Sequence, residues 1–314
     1  QPHGETSVES REKTKRRSDK GGKLSLVSPL APDRLAQCWR LWGALKCQVL
    51  IVAWPPSSMT TTLWRHMSAA YVHRPDYPEA LIAHLLELMP VRGRVLDLGC
   101  GPGKLSRALA PHTDEVIGVD PSAAMLDLAG RLDAGKHQNV RWIHGRAEDL
   151  QLEAPIDLVV AGASIHWIDP AALFPKLARW LAPKASVAIV GGDEPASAPW
   201  IEPYRAIIRG WVERMGGRWG DDGYRARMSA HEPWLDIQGR DVLLHEVRQR
   251  IDDLIETEHS RATWARRRMG ALAEPFDADL RAALAPCAED GMVTYSVETR
   301  LMWGSPRAEV RAVA

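Results

Sequence analysis

Three glycines at alternate positions, Gly99, Gly101 and Gly103, follow a carboxylate, Asp97, in the run Val95-Leu-Asp-Leu-Gly-Cys-Gly-Pro-Gly-Lys104. Those residue types in that order suit a ligand that lies against the main chain. Glycine admits φ > 0 and has no Cβ, so a bound group can approach the backbone closely. The apolar residues 95–98 predict a buried strand, the glycines a turn, and Lys104 the start of a helix. The first N–H groups of that helix point unpaired at whatever fills the turn. Asp97 then lies at the carboxyl end of a strand, the edge of an open α/β sheet at which ligands bind. A dinucleotide turn, G-x-G-x-x-G, needs its third glycine where this chain has Lys104; here the glycine comes one residue early, at Gly103.

A second acid is placed in register with the first. Asp120 follows Gly99 by 21 positions and ends the apolar run 115–120, which predicts a second strand. A carboxylate at that tip can accept both hydroxyls of a ribose. It also suits a helix N-cap, with Pro121 in the first turn of a helix over 122–132. Further strands are predicted at 140–144, 156–161 and 186–190, with a helix over 170–181 between the last two. Such strand-helix alternation implies a parallel sheet with right-handed crossovers. Beyond it, 201–215 carries an apolar helical stripe, 242–251 reads as a sixth strand, and the alternating residues 293–303 read as a half-buried last strand.

The pattern Asp-x-Gly-x-Gly-x-Gly resembles motif I of the class I S-adenosylmethionine (SAM)-dependent methyltransferases. Tyr71-Val-His-Arg-Pro-Asp-Tyr-Pro78 resembles the entry segment that covers the cofactor in small-molecule members. Ser164-Ile-His-Trp-Ile-Asp169 resembles the motif IV region of the trans-aconitate and ubiquinone/menaquinone-type enzymes. The resemblance covers residues 64–304. It implies a Rossmann-like, doubly wound, seven-stranded, mostly parallel sheet with an antiparallel last strand and helices on both faces. It implies SAM as cofactor and a small-molecule methyl acceptor: a carboxylate, a hydroxyl or a quinone precursor, methylated on O or C.

The site residues carried over with it are these. Asp97 would hold the methionyl amino group, Gly99, Cys100, Gly101 and Gly103 would allow close approach, and Asp120 with Pro121 would meet the ribose. Adenine would be met at Arg146, Ala147 (by its backbone) and Glu148. The family usually has Asp or Asn where this chain has Arg146, and arginine offers no acceptor for an amino group. Ala161 to His166 would line the transfer zone, with His166 as the catalytic residue, since imidazole titrates near neutrality. Arg74 and Arg205 are candidate clamps for an acceptor carboxylate. Trp167, Tyr204 and Trp264 are candidate acceptor contacts, and the insertion between the fifth and sixth strands is expected to form a substrate cap. No metal is implied. Two other readings stay open: a nicotinamide-dependent Rossmann oxidoreductase, which Lys104 opposes, and a SAM-binding protein without turnover, which Arg146 makes conceivable.

Composition bounds the rest. The chain has 314 residues with 40 Lys+Arg against 40 Asp+Glu, so net charge gives no push toward nucleic acid or a membrane. Four cysteines, Cys38, Cys47, Cys100 and Cys287, form no dense framework, and a reducing cytoplasm is the expected compartment. Residues 1–24 are polar and carry a net charge of +3, the pattern of a solvated tail. Residues 1–58 are expected to be a non-domain extension or the product of an over-long gene assignment. The methyltransferase domain is expected over 59–314, with its cofactor half at 92–192 and cap and C-terminal strands at 193–304.

Overall fold

In the computed structural model the described residues are 67–153, 155–218 and 227–309. The expected extension, 1–58, lies outside them. The first helix expected ahead of the sheet begins within the described part as a 3-10 turn, Ser68–His73, and gives way at Arg74 to extended backbone. Pro75 and Pro78 account for the break, because proline cannot continue a helix, and Pro78 stands as the N-cap of the next one rather than in its first turn. The helix α1 (Glu79–Glu87) follows, with Leu81 and Leu85 buried.

The sheet starts with β1 (Arg94–Leu98), which leads through the glycine turn into α2 (Lys104–Leu109). Next come β2 (Glu115–Asp120), α3 (Ala123–Asp133), β3 (Val140–His144), β4 (Ile156–Gly162), α4 (Pro170–Trp180) and β5 (Leu181–Gly191). These strands are all parallel, in the order β3-β2-β1-β4-β5. Both faces are covered, so the central strands are apolar throughout rather than alternating. Leu96, Val159 and Ile189 pack with Leu173, Phe174 and Leu177 of α4 on one face. Val95, Leu158 and Val190 pack with Leu81 and Leu85 of α1 and Leu105 and Leu109 of α2 on the other.

The remaining strands are β6 (Pro195–Ser197), β7 (Leu235–Arg250) and β8 (Met292–Pro306). β8 runs antiparallel to β5 and lies between it and β7. The fold class is therefore the expected one. The sheet has eight strands rather than seven, because the short β6 also pairs with β8, beyond the end of β5. β7 begins seven residues before the predicted sixth strand. Its first half reads Leu-Asp-Ile-Gln-Gly-Arg-Asp, with a glycine that looks like a break. The register shifts at that point, and a Cβ on Gly239 would sit 2.2 Å from the Trp303 ring. The glycine is there to let Trp303 lie across the strand.

Between β6 and β7 lies α5 (Ile201–Arg214), and between β7 and β8 lie α6 (Ile251–His259) and α7 (Ala273–Leu284). Trp200, Tyr204, Trp211, Trp264 and Phe276 join these helices in a separate aromatic core, in which Trp264 stacks on Phe276 with centroids 5.0 Å apart. Among the described residues no helix is long and apolar enough to cross a membrane.

Candidate functional site

A cavity of about 510 Å³ opens at the carboxyl ends of β1, β2 and β4. Its size falls in the range of small-molecule sites, roughly 300–1,000 Å³. The glycine turn forms one wall, and its three glycines all have positive φ: +65° at Gly99, +54° at Gly101 and +78° at Gly103. Their surroundings differ. A Cβ on Gly101 would meet nothing within 4 Å, so this glycine faces open cavity. A Cβ on Gly99 would lie 2.6 Å from Ser164, and one on Gly103 would lie 2.4 Å from the Trp142 ring. Gly103 does not line the cavity. Its glycine is a packing requirement, so only Gly99, Cys100 and Gly101 of the expected close-approach set lie against it.

This contrast yields a prediction. Gly101→Ala should cost only the strain of left-handed backbone, about 1 kcal/mol, while placing a methyl group in the open cavity. Cofactor affinity should fall at least tenfold in calorimetry with little change in melting temperature. Gly103→Ala should instead lower the melting temperature, because it adds a clash with Trp142 to the same strain.

Two buried carboxylates border the turn. Asp97, 2% exposed, accepts a 2.6 Å hydrogen bond from the Ser106 hydroxyl. Burial pushes its pKa up to about 7, against the lowering effect of the Ser106 hydrogen bonds. Asp120 accepts from the Gly101 N–H at 2.9 Å and from the Ser122 N–H at 2.8 Å, and burial raises it to about 6. Asp120 is therefore not the N-cap of α3, and Pro121 stands before the helix rather than in its first turn. Ser122 is the cap, its hydroxyl accepting from the Met125 N–H, which leaves Asp120 to tie the two ligand-side loops together. Two carboxylates this short of water suit a ligand that brings positive charge and hydroxyl donors.

Pro121, Arg146, Ala147 and Glu148 all line the cavity. The Arg146 guanidinium pairs with Glu148, Nη2 to Oε1 at 2.8 Å, and Glu148 also accepts from the Asp169 N–H at 3.3 Å. Burial would raise the Glu148 pKa, but these hydrogen bonds outweigh it and hold the group below the ordinary glutamate value. Arg146 thus turns an acceptor toward the site instead of supplying one.

The transfer zone differs from expectation in detail. Gly162, Ala163, Ser164 and Trp167 line the cavity, but Ala161 and His166 do not. Ala161 points into the core between β4 and α4. His166 lies on the 3-10 turn Ile165–Trp167, which carries its ring inward to 8% exposure. The expected acceptor contacts fare likewise. Tyr204 and Trp264 belong to the aromatic core, and Arg205 is engaged by Glu202 and the Ala196 carbonyl. None of the three lines the cavity. No described residue of the insertion 194–234 does so, because its apolar stripe is spent on that core.

Arg74 does line the cavity, but its donors are committed. It donates to Asp193 Oδ2 at 2.9 Å, to the Ser260 hydroxyl at 2.6 Å and to the Ser260 carbonyl at 3.0 Å, while lying 4.1 Å over the Tyr71 ring. Lys104 donates to the Arg74 carbonyl and to Asp76 Oδ1 at 2.6 Å. The His73 carbonyl accepts from Gln249 and Thr257. Segment 71–77 is thus a cover fastened to α2 on one side and to β7 and α6 on the other. Sequence reasoning missed Tyr77, Lys104, Asp193, His245, Val297 and Thr299, which also line the cavity. Only Tyr77 had a local signal, in the Tyr-Pro that ends the cover.

A glycine turn at a strand tip, an acid on the neighbouring tip and a cavity across both define a Rossmann-like nucleoside-binding protein. Residues 95–184 match a family model described as a methyltransferase domain. An uncharacterized methyltransferase of Mycobacterium tuberculosis is 35% identical over 172 residues, 54% of this chain and 64% of that protein. A trans-aconitate 2-methyltransferase of Methylobacterium nodulans is 35% identical over 183 residues, 55% of this chain and 67% of that one. A solved structure from Anaeromyxobacter dehalogenans, described as a type II methyltransferase, is 27% identical, superposes with a TM-score of 0.59 and covers 74% of this chain and 99% of its own. The chain belongs to the class I SAM-dependent methyltransferases. It spans less than two thirds of the length of the mycobacterial relative.

Proposed function

We propose that this protein transfers the methyl group of SAM to a small-molecule acceptor, on O or C. The observation that carries this reading is the pair of buried carboxylates around the one turn glycine, Gly101, whose missing Cβ opens straight into the cavity. Asp97 would hold the cofactor's ammonium group, Asp120 its ribose hydroxyls and Glu148 with the Ala147 backbone its base. The cofactor supplies an already activated methyl group. The protein's part is to hold the acceptor in line and exclude water, which can contribute roughly 7–11 kcal/mol. The cover 71–77 and the strand ends beneath it serve that purpose.

The lining also bears on the acceptor. Asp76, Asp97, Asp120, Glu148, Asp149, Asp169 and Asp193 face Arg74, Lys104 and Arg146, so seven carboxylates meet three cations. That balance disfavours a polyanion such as nucleic acid. Cys100 and Cys287 are free thiols, which suits action in the cytoplasm.

Calorimetry tests the reading. SAM and S-adenosylhomocysteine should bind with micromolar or tighter affinity, and NADH should give no heat. Binding of NADH without SAM would restore the oxidoreductase reading.

A further inference from the structure

Away from the glycine turn the cavity ends on residues from four elements. The cover gives Tyr71, Arg74 and Tyr77, the end of β5 gives Gly192 and Asp193, β7 gives His245, and β8 gives Val297 and Thr299. His245 stands opposite Val297 in the β7–β8 ladder, so both side chains, with Thr299 two residues along, share the sheet face that looks at the cover. The charged groups at this end satisfy one another. Asp193 receives Arg74 on one oxygen at 2.9 Å and Arg261 on the other at 3.0 Å. His245 is different: neither ring nitrogen has a hydrogen-bond partner, and both are screened from water. An imidazole left in that state costs free energy that a ligand can return.

We propose that His245 is the acceptor-binding residue of this cavity, and that the acceptor is an uncharged molecule presenting a hydroxyl or ring N–H to the imidazole rather than a carboxylate. The proposal rests on the methyl-transfer reading and narrows its substrate class. A carboxylate would find no uncommitted cation here, since Arg74 and Lys104 are both held, and it would lie beside Asp193. A neutral donor brings the hydrogen that the imidazole needs, and a turn of the ring about Cβ–Cγ presents a nitrogen to it. Burial lowers the His245 pKa, so the ring is neutral and able to accept at pH 7. On transfer the acceptor's X–H becomes X–CH₃, the electron pair of the broken C–S bond stays on sulfur, and the proton passes to the imidazole and then to water.

The test uses the full chain saturated with S-adenosylhomocysteine. Calorimetric titrations with catechol, 4-hydroxybenzyl alcohol and indole are compared with benzoate and succinate. At least one neutral probe should bind tenfold or more tightly than either carboxylate. His245→Phe should weaken that probe at least fivefold, with S-adenosylhomocysteine affinity unchanged within twofold. His245→Gln, whose amide oxygen can still accept, should keep most of the preference, which a merely structural role would not predict. Carboxylates binding as well as the neutral probes, no probe binding, or a His245→Phe protein with unaltered preference would each overturn the proposal. Failure of S-adenosylhomocysteine to bind the unaltered chain would overturn the methyl-transfer reading itself.

Discussion

Asp97→Asn should give a protein that is more stable than the parent without cofactor and that scarcely binds SAM. Asp97 is buried with one hydrogen-bond donor, Ser106, and its pKa stands at about 7 against an ordinary 3.8. The folded chain therefore binds a proton at this site where the unfolded chain has lost it. Stability from this group is fully present below pH 4 and drains away as pH rises through 7. Above pH 7 the folded state carries a buried anion, at a cost of about 4 kcal/mol from roughly 1.4 kcal/mol per pKa unit. Asparagine keeps an oxygen for the Ser106 hydroxyl and removes the charge. At pH 8 its melting temperature without ligand should rise by about 8–16 °C, at roughly 2–4 °C per kcal/mol for a domain of this size. SAM affinity should fall at least thirtyfold, since the ammonium loses its counter-charge. The parent should also bind SAM more tightly as pH rises from 6 to 8, with proton release detectable by calorimetry in buffers of different ionisation enthalpy, and the variant should show neither effect. A variant that binds SAM normally would place the cofactor's ammonium elsewhere.

That expected trade of stability for binding explains why this part of the chain was legible. The 95–104 run breaks local rules in a row: an acid inside an apolar strand, then three glycines where a helix must begin. Such conflicts between residue type and surroundings mark functional sites. Strand β2 was readable to the residue, because a strand buried on both faces is a nearly uninterrupted apolar run, and the edge strand β3, though half-exposed, was bounded by the same strand-helix alternation. The first half of β7 was not, because it is a half-exposed edge strand carrying a glycine placed for Trp303, more than sixty residues away.

The acceptor end of the cavity left no local signature. Asp193, two residues past the end of β5, His245 on β7 and Thr299 on β8 meet only through the β5–β8–β7 pairing. No spacing in the chain announces that. The stripe on α5 was readable as apolar, but its partner was not, and the acceptor roles expected of Tyr204 and Trp264 are pre-empted by the aromatic core, that of Arg205 by Glu202 and the Ala196 carbonyl. Arg74 lines the cavity, but sequence could not show that Asp193 and Ser260 take the donors expected to clamp an acceptor. His166 came from the motif IV resemblance, which does not fix where a side chain points, and a three-residue 3-10 turn carries its ring inward.

The same fastening of the cover should make Arg261→Met one of the most damaging single changes. Arg261 bonds Asp193 Oδ1 at 3.0 Å and approaches Glu194 Oε1 at 3.4 Å and Glu258 Oε1 at 3.3 Å. Burial works against its charge, but Asp193, Glu258 and Glu194 outweigh burial and hold its pKa well above the ordinary arginine value. Methionine fills much of the volume but leaves Glu258 and Glu194 facing an apolar side chain and Asp193 without its second arginine. Removing one partner of a buried pair costs about 3–5 kcal/mol, because the remaining charge is left uncompensated. Urea unfolding followed by tryptophan fluorescence should show that loss, with Arg261→Lys recovering only part of it, since an ammonium cannot span three acceptors in a fixed fork. Arg74→Met should cost less, because Asp193 keeps Arg261, but it should free segment 71–77 and weaken cofactor binding. As both arginines grip Asp193, the double variant should not show the sum of the two losses; the coupling should exceed about 1 kcal/mol. Additive losses would mean that the cover and the C-terminal helices do not act through Asp193, and that the cavity is closed by packing alone.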